Sequence, residues 1–187
     1  KRDLAATLVV RAGLARPLAA AYAASLHRLR VLAYHRVLPR RAEQGFTYDI
    51  ELVSAWEEEF EWQVNYLARN HEVITCRDLA ALLDAGRPVP RRAVIITFDD
   101  GYRDNHDVAL PILRRHGVPA VVFVATGYMD SHETYWYDRL VHWMLDVPDA
   151  DLPLPDGAPA LHVGGDEAQR RQAAYAALKH LKLLPDA

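Results

Sequence analysis

The chain has a single cysteine, Cys76. That excludes an internal disulfide framework and a zinc site built on cysteines. The residue closes Glu72-Val73-Ile74-Thr75-Cys76, which reads as a short buried strand, so a packed thiol is expected there rather than a nucleophile. Lysine is also scarce: 19 of the 22 basic residues are arginine, which hints at a GC-rich bacterial genome. No run of about eighteen apolar residues occurs, so no transmembrane helix is expected. An excess of positive charge is missing too. The formal net charge of -3 removes any bulk electrostatic argument for nucleic acid as a partner. No internal repeat is visible.

What is present suits a globular chain. A length of 187 residues allows one sizeable core and falls short of two ordinary domains. Charge is distributed unevenly: residues 1–41 hold nine Lys or Arg and one acid, Asp3. Residues 3–27 read as a basic amphipathic helix with Leu4, Leu8, Ala12, Ala15, Ala19, Tyr22 and Leu26 near helical spacing, and residues 1–28 form an N-terminal segment apart from the rest. Its face is mostly alanine, so packing on the domain is favoured over weak contact with an anionic membrane surface. The uncharged run Pro17–Leu26 is too thin for a convincing secretory signal, which leaves the cytoplasm and the cell envelope both open. The first residue is Lys1 rather than Met, so a longer N-terminus is expected.

From residue 29 onward, strand and helix alternate. Strands are expected at 30–34, 72–76, 93–98 and 119–125. Helices are expected at 51–70, 77–85 and 104–116, the last stopped by Gly117. Leu52, Trp56, Phe60, Val64 and Leu67 recur at three to four. At that spacing Trp56, Phe60 and Trp62 read as core more readily than as a sugar platform. Residues 136–146 read as helix, 147–166 as a Pro/Gly-rich excursion and 166–184 as a final helix. The alternation implies an α/β fold with parallel βα units, without separating a doubly wound sheet from a barrel.

The most informative stretch is Ile95-Ile96-Thr97-Phe98-Asp99-Asp100-Gly101-Tyr102. A strand that stops on Asp-Asp-Gly puts two acids at its C-terminal edge, where α/β folds build their sites. Adjacent carboxylates permit a division of labour, one binding a divalent metal and the other taking a proton from water. The plainer alternative is a turn, since Asp-Gly is a common turn pair and Asp caps helices. Asp104 or Asn105 would cap the helix that follows.

The wider pattern resembles the polysaccharide deacetylase family, the NodB-homology or carbohydrate esterase family 4 domain. Thr97-Phe98-Asp99-Asp100-Gly101-Tyr102 looks like its first motif. Arg103-Asp104-Asn105, His116-Gly117-Val118-Pro119-Ala120 and Val122-Phe123-Val124-Ala125-Thr126-Gly127 follow in order. Upstream, Val31-Leu32-Ala33-Tyr34-His35-Arg36-Val37 looks like its first strand. Tyr135-Trp136-Tyr137-Asp138-Arg139-Leu140 is similar to a segment of exopolysaccharide-associated bacterial members. The resemblance spans about residues 29–145 and implies the N-terminal part of a distorted, incomplete (β/α) barrel over 29–187. It also implies a metal-dependent hydrolase that removes N-acetyl groups from a polysaccharide or other glycan. Asp99 would be the general base, Asp100 a ligand of a divalent metal, by family habit zinc, and His35 the acid that protonates the leaving amine. Gly101 would let the backbone approach substrate, with Tyr102 and Arg103 lining the rim. Trp136, Tyr137 and Asp138 could contact sugar, though packing and capping explain them equally well.

The chain departs from the family at its second motif, a His-x-x-x-His pair that completes the metal site. The nine histidines are 27, 35, 71, 106, 116, 132, 142, 162 and 180, and no two stand three to five apart. The favoured explanation is the N-terminal part of a longer protein, inactive by itself. The alternative is a non-catalytic domain that binds polysaccharide or a partner. A haloacid-dehalogenase phosphatase wants Asp-x-Asp after its strand and fits less well.

Overall fold

The computed structural model of the chain describes residues 29–131 and 133–184. The helix expected at 3–27, with the whole segment 1–28, lies outside the described residues. Two compact units divide the described residues, 29–37 with 55–124 and 38–54 with 125–131 and 133–184.

Up to residue 124 the elements run β1 (Arg30–Tyr34), β2 (Arg36–Leu38), β3 (Val53–Trp56), α1 (Glu57–Asn70), β4 (Glu72–Val73), α2 (Cys76–Asp84), β5 (Ala93–Phe98), α3 (Leu110–His116) and β6 (Val121–Val122), all in the first unit except that β2 and β3 each carry residues of both. Strand β5 organises them. It pairs in parallel with β1 along its whole length, from Arg30↔Val94 to Tyr34↔Phe98. It also pairs with β4 at Ala93–Val94 and with β6 at Thr97–Phe98. All six of its residues are buried, which explains a continuous apolar run in place of alternation. Its side chains still sort by period two. Val94, Ile96 and Phe98 pack with Tyr34, Phe60, Val64, Leu67, Ile112 and Leu113, whereas Ala93 and Ile95 pack with Ile74, Leu79 and Leu82. These are the parallel βα units of an incomplete (β/α) barrel.

Three expectations need correction. Helix α1 starts at Glu57 rather than residue 51, because Ile50–Leu52 form a 3-10 turn and Val53–Trp56 a strand. Asp49 accepts the Glu51 N–H at 3.0 Å and so closes that turn early. The run Glu57-Glu58-Glu59 then suits the positive end of a new helix, and the Glu59 carboxylate accepts the Trp56 N–H at 3.3 Å. Trp62 is not core. The helix turns it away from Phe60, leaving it 67% exposed and stacked on Tyr66 with ring centres 6.0 Å apart. Cys76 is not a packed strand thiol but an exposed residue that opens α2. Thr75 caps that helix by accepting the Asp78 N–H at 3.1 Å, while the Asp78 carboxylate accepts the Thr75 N–H at 2.8 Å. This reciprocal cap ends β4 early.

The strand expected at 119–125 shrinks to Val121–Val122, with Phe123 still donating its N–H to the Phe98 carbonyl at 2.8 Å. Before α3 the chain makes a π turn over Asn105–Ala109, and α3 ends at Gly117, whose φ of 62° is left-handed, as a helix-stopping glycine requires.

In the second unit, α4 (Trp136–Asp146), β7 (Ala150–Leu152), β8 (Leu161–Val163) and α5 (Glu167–Leu181) follow. The Pro/Gly-rich excursion contains an antiparallel ladder, Ala150↔Val163 to Leu152↔Leu161. Val141, Met144, Val163, Ala174 and Leu178 form the core of this unit. Asp166 caps α5 by accepting the Gln169 N–H at 2.9 Å. Asp49, 4% exposed, donates its own N–H to the buried Asp138 carboxylate at 3.0 Å.

Burial pushes the Asp49 carboxyl up from its ordinary value; the Glu51 N–H opposes that rise and the charge of Asp138 adds to it. A carboxyl raised in the folded state binds its proton more tightly there than in the unfolded chain. The stability it contributes is therefore present below the ordinary carboxylate range and lost as pH rises through the raised value. Between about pH 7 and about pH 4, wild type is expected to gain urea resistance relative to Asp49→Asn. Parallel pH curves for the two proteins would count against this.

Candidate active site

The parallel register of β1 and β5 places two strand ends side by side. Tyr34 stands opposite Phe98, and the Asp99 N–H donates to the Tyr34 carbonyl at 2.8 Å. The next residue on each strand is therefore His35 on one and Asp99 on the other. His35 Nε2 lies 3.9 Å from Asp99 Oδ2, and each side chain is 36% exposed. The two meet at the C-terminal edge of the sheet, reachable by solvent yet supported from beneath by the stacked rings of Tyr34 and Phe98.

The chain then turns sharply. Asp100 has φ of 70° and Gly101 φ of 80°, two successive left-handed residues, and the Gly101 N–H donates to the Asp99 carbonyl at 2.9 Å. Aspartate tolerates this region better than most residues but still pays for it. Such strain persists where surrounding structure imposes it, often at functional sites. At Gly101 the requirement is stricter, because a Cβ there would lie 3.3 Å from Val124 Cγ1. Gly101→Ala is expected to destabilise the fold by about 1–2 kcal/mol, read from urea denaturation. An unchanged midpoint would contradict the left-handed turn.

The remaining predicted site residues are placed as follows. Tyr102 lies under the Arg36 guanidinium, whose carbon is 4.4 Å from the ring centre. Arg103 is 92% exposed and pairs with Asp107 at 2.9 Å. In the second unit, Asp138 is buried and Trp136 exposed.

Asp104 and Asn105 depart from the capping role expected of them. Asp104 makes no side-chain cap. Its Oδ2 pairs with Arg36 at 2.9 Å and its Oδ1 accepts the Val37 N–H at 3.1 Å. Burial raises its carboxyl above the ordinary value, against the pull of Arg36 and the Val37 N–H. Asn105 donates from Nδ2 to the His35 carbonyl at 2.7 Å. Sequence reading missed Arg36 and this whole connection. The available signal was a basic residue beside His35 and an Asp-Asn pair just after the turn.

A divalent metal is not accommodated by the described residues alone. A catalytic zinc wants about three protein ligands, and among the described residues no group of three or more His, Cys, Asp or Glu side chains is placed to hold one. No described helix is long and apolar enough to cross a membrane.

Comparison with known proteins places these features in context. Residues 86–163 match the family model described as polysaccharide deacetylase. YxkH of Bacillus subtilis is 33% identical over 69 residues, covering 36% of this chain and 25% of that protein. The poly-β-1,6-N-acetyl-D-glucosamine N-deacetylase of Staphylococcus epidermidis is 29% identical over 122 residues, covering 62% of this chain and 42% of that protein. Among solved structures, IcaB from Ammonifex degensii is 30% identical with a TM-score of 0.45, covering 55% of this chain and 40% of that one. The chain thus spans 25% and 42% of the length of the two curated relatives.

Proposed function

We propose that this chain, which belongs to the polysaccharide deacetylase family, carries part of the active site of a metal-dependent carbohydrate N-deacetylase. The observation that supports the reading most is the 3.9 Å approach of His35 to Asp99 at the C-terminal edge of the parallel strands. A carboxylate and an imidazole so placed can serve the two ends of amide hydrolysis. Asp99 takes a proton from water as its oxygen attacks the N-acetyl carbonyl. The tetrahedral carbon then collapses, the C–N bond breaks, and protonated His35 gives its Nε2 proton to the departing sugar amine. The products are acetate and a free amine on the glycan. Histidine suits the second role because an imidazole can hold a proton on Nε2 and hand it on.

Asp100 would supply one oxygen ligand of a divalent metal, with zinc the proposed ion, and that metal would polarise the N-acetyl carbonyl. Gly101 offers substrate its backbone only, its missing side chain leaving room for Val124, and Tyr102 and Arg103 line the rim. The substrate class is an N-acetylated polysaccharide.

The test uses the polypeptide that carries this chain together with whatever follows it in its gene. It is expected to release acetate from N-acetylglucosamine oligomers, to lose that activity to a chelator and to regain it with zinc. Undiminished release after chelation would sink the metal, and no release with zinc present would sink the deacetylase.

A further inference from the structure

Two polar side chains just past the Asp-Asp-Gly turn sit where apolar ones would be cheaper. Asp104 is 8% exposed and Asn105 7%. A buried ion pair such as Asp104–Arg36 often gains nothing over well-packed apolar residues. Asn105 also leaves its Oδ1 buried without a hydrogen-bond partner among the described residues, at a desolvation cost that an apolar side chain would avoid. Neither residue caps the helix it begins. Their contacts instead converge on one short segment: Asn105 holds the His35 carbonyl, and Asp104 holds the Arg36 side chain and the Val37 N–H. Arg36 in turn lies over the Tyr102 ring, so the clamp closes on the turn that carries Asp99 and Asp100.

We propose that Asp104 and Asn105 are positioning residues that fix the His35–Val37 backbone, and through it hold the His35 imidazole against Asp99. The β1–β5 pairing does not do this, and β2, which starts at Arg36, pairs with β3 and not with the strand that carries Asp99. The β1–β5 register ends at Tyr34↔Phe98, one residue short of His35. Beyond that point the backbone of residues 35–37 is tied to the turn by these side chains. The π turn over Asn105–Ala109 is the local consequence, because one widened turn is a common way for a helix to re-aim side chains at a site. The proposal takes its catalytic meaning from the deacetylase reading, whereas its geometry stands apart from it.

The experiment is NMR on the 187-residue chain, comparing wild type with Asn105→Ala, Asp104→Asn and a core control, Leu113→Ala. Asn105→Ala is the decisive variant. It removes one hydrogen bond together with the orphan oxygen, so global stability should hold. The proposal predicts His35 ring resonances that broaden or double, and about tenfold faster amide exchange at His35 and Val37, with Val94 and Ile96 unchanged. Asp104→Asn should loosen the same signals. Leu113→Ala should lower the urea midpoint and leave them alone. The proposal is overturned if Asn105→Ala leaves His35 and Val37 as in wild type, or if Leu113→Ala loosens them equally. A second arm separates it from the functional reading. If Asn105→Ala loosens His35 while His35→Ala leaves acetate release intact in the longer polypeptide, the positioning role stands and the assignment of His35 as the acid falls.

Discussion

Asp99→Asn is expected to lower acetate release by about 10²–10⁴-fold in a polypeptide that carries this chain and shows that activity, with little change in thermal midpoint. The size follows from what the substitution removes. Asparagine keeps the volume and the acceptor oxygen of aspartate but cannot take a proton from water. It also takes away the charge 3.9 Å from His35 Nε2. Structure should survive, because Asp99 is tied to the fold by its main chain, through the N–H that donates to Tyr34. Its side chain is partly exposed. Asp100→Asn should behave differently. As a proposed metal ligand, its loss should be partly restored by raising the zinc concentration, whereas Asp99→Asn should not respond. Release within a few-fold of wild type for Asp99→Asn would remove Asp99 from the role of base. Rescue of Asp99→Asn by zinc would exchange the roles of the two acids.

How much of this site the sequence disclosed depended on whether the determinant was local. The strand Ala93–Phe98 and the helix Trp136–Asp146 were legible to the residue, because an unbroken apolar run and a 3.6 period are properties of the segment itself. The left-handed Gly117 that ends α3 was legible for the same reason. The placement of Asp99 and His35 at one edge was half legible: each visibly ended a strand, yet only the parallel register of β1 on β5 brings them together. What stayed hidden was set by distant partners. Asp104 and Asn105 looked like caps because Asx residues at a helix start usually are, and their actual bonds reach 67 and 70 residues back, to Val37 and His35. Cys76 was misread because the Thr75–Asp78 cap outcompeted the β propensity of Val73-Ile74. The strand at Val53–Trp56 was masked by a helical repeat that Leu52 and Trp56 extend by coincidence.

Phe60→Ala is expected to cost about 3–5 kcal/mol of stability, a large part of the total for a marginally stable protein. Phe60 has no solvent exposure. It packs edge-on against Tyr34 at 5.2 Å and against Phe98 at 5.8 Å between ring centres. Removing the ring opens a cavity under both strands, which the surrounding β5 and α1 backbones cannot collapse to fill. Phe60→Leu should cost less, about 1–1.5 kcal/mol, and Trp62→Ala, on the exposed face of the same helix, within about 0.5 kcal/mol. Urea denaturation of the three variants checks the order. Equal losses for Phe60→Ala and Trp62→Ala would place the wrong face of α1 in the core. The consequence reaches the site, because Tyr34 and Phe98 are the residues directly before His35 and Asp99. A gap beneath them frees the two strand ends that the proposed chemistry uses, so Phe60→Leu should lower turnover more than its modest stability loss would by itself. That excess, measured where the variant is still fully folded, is what distinguishes a core that supports the site from one that merely holds the chain together.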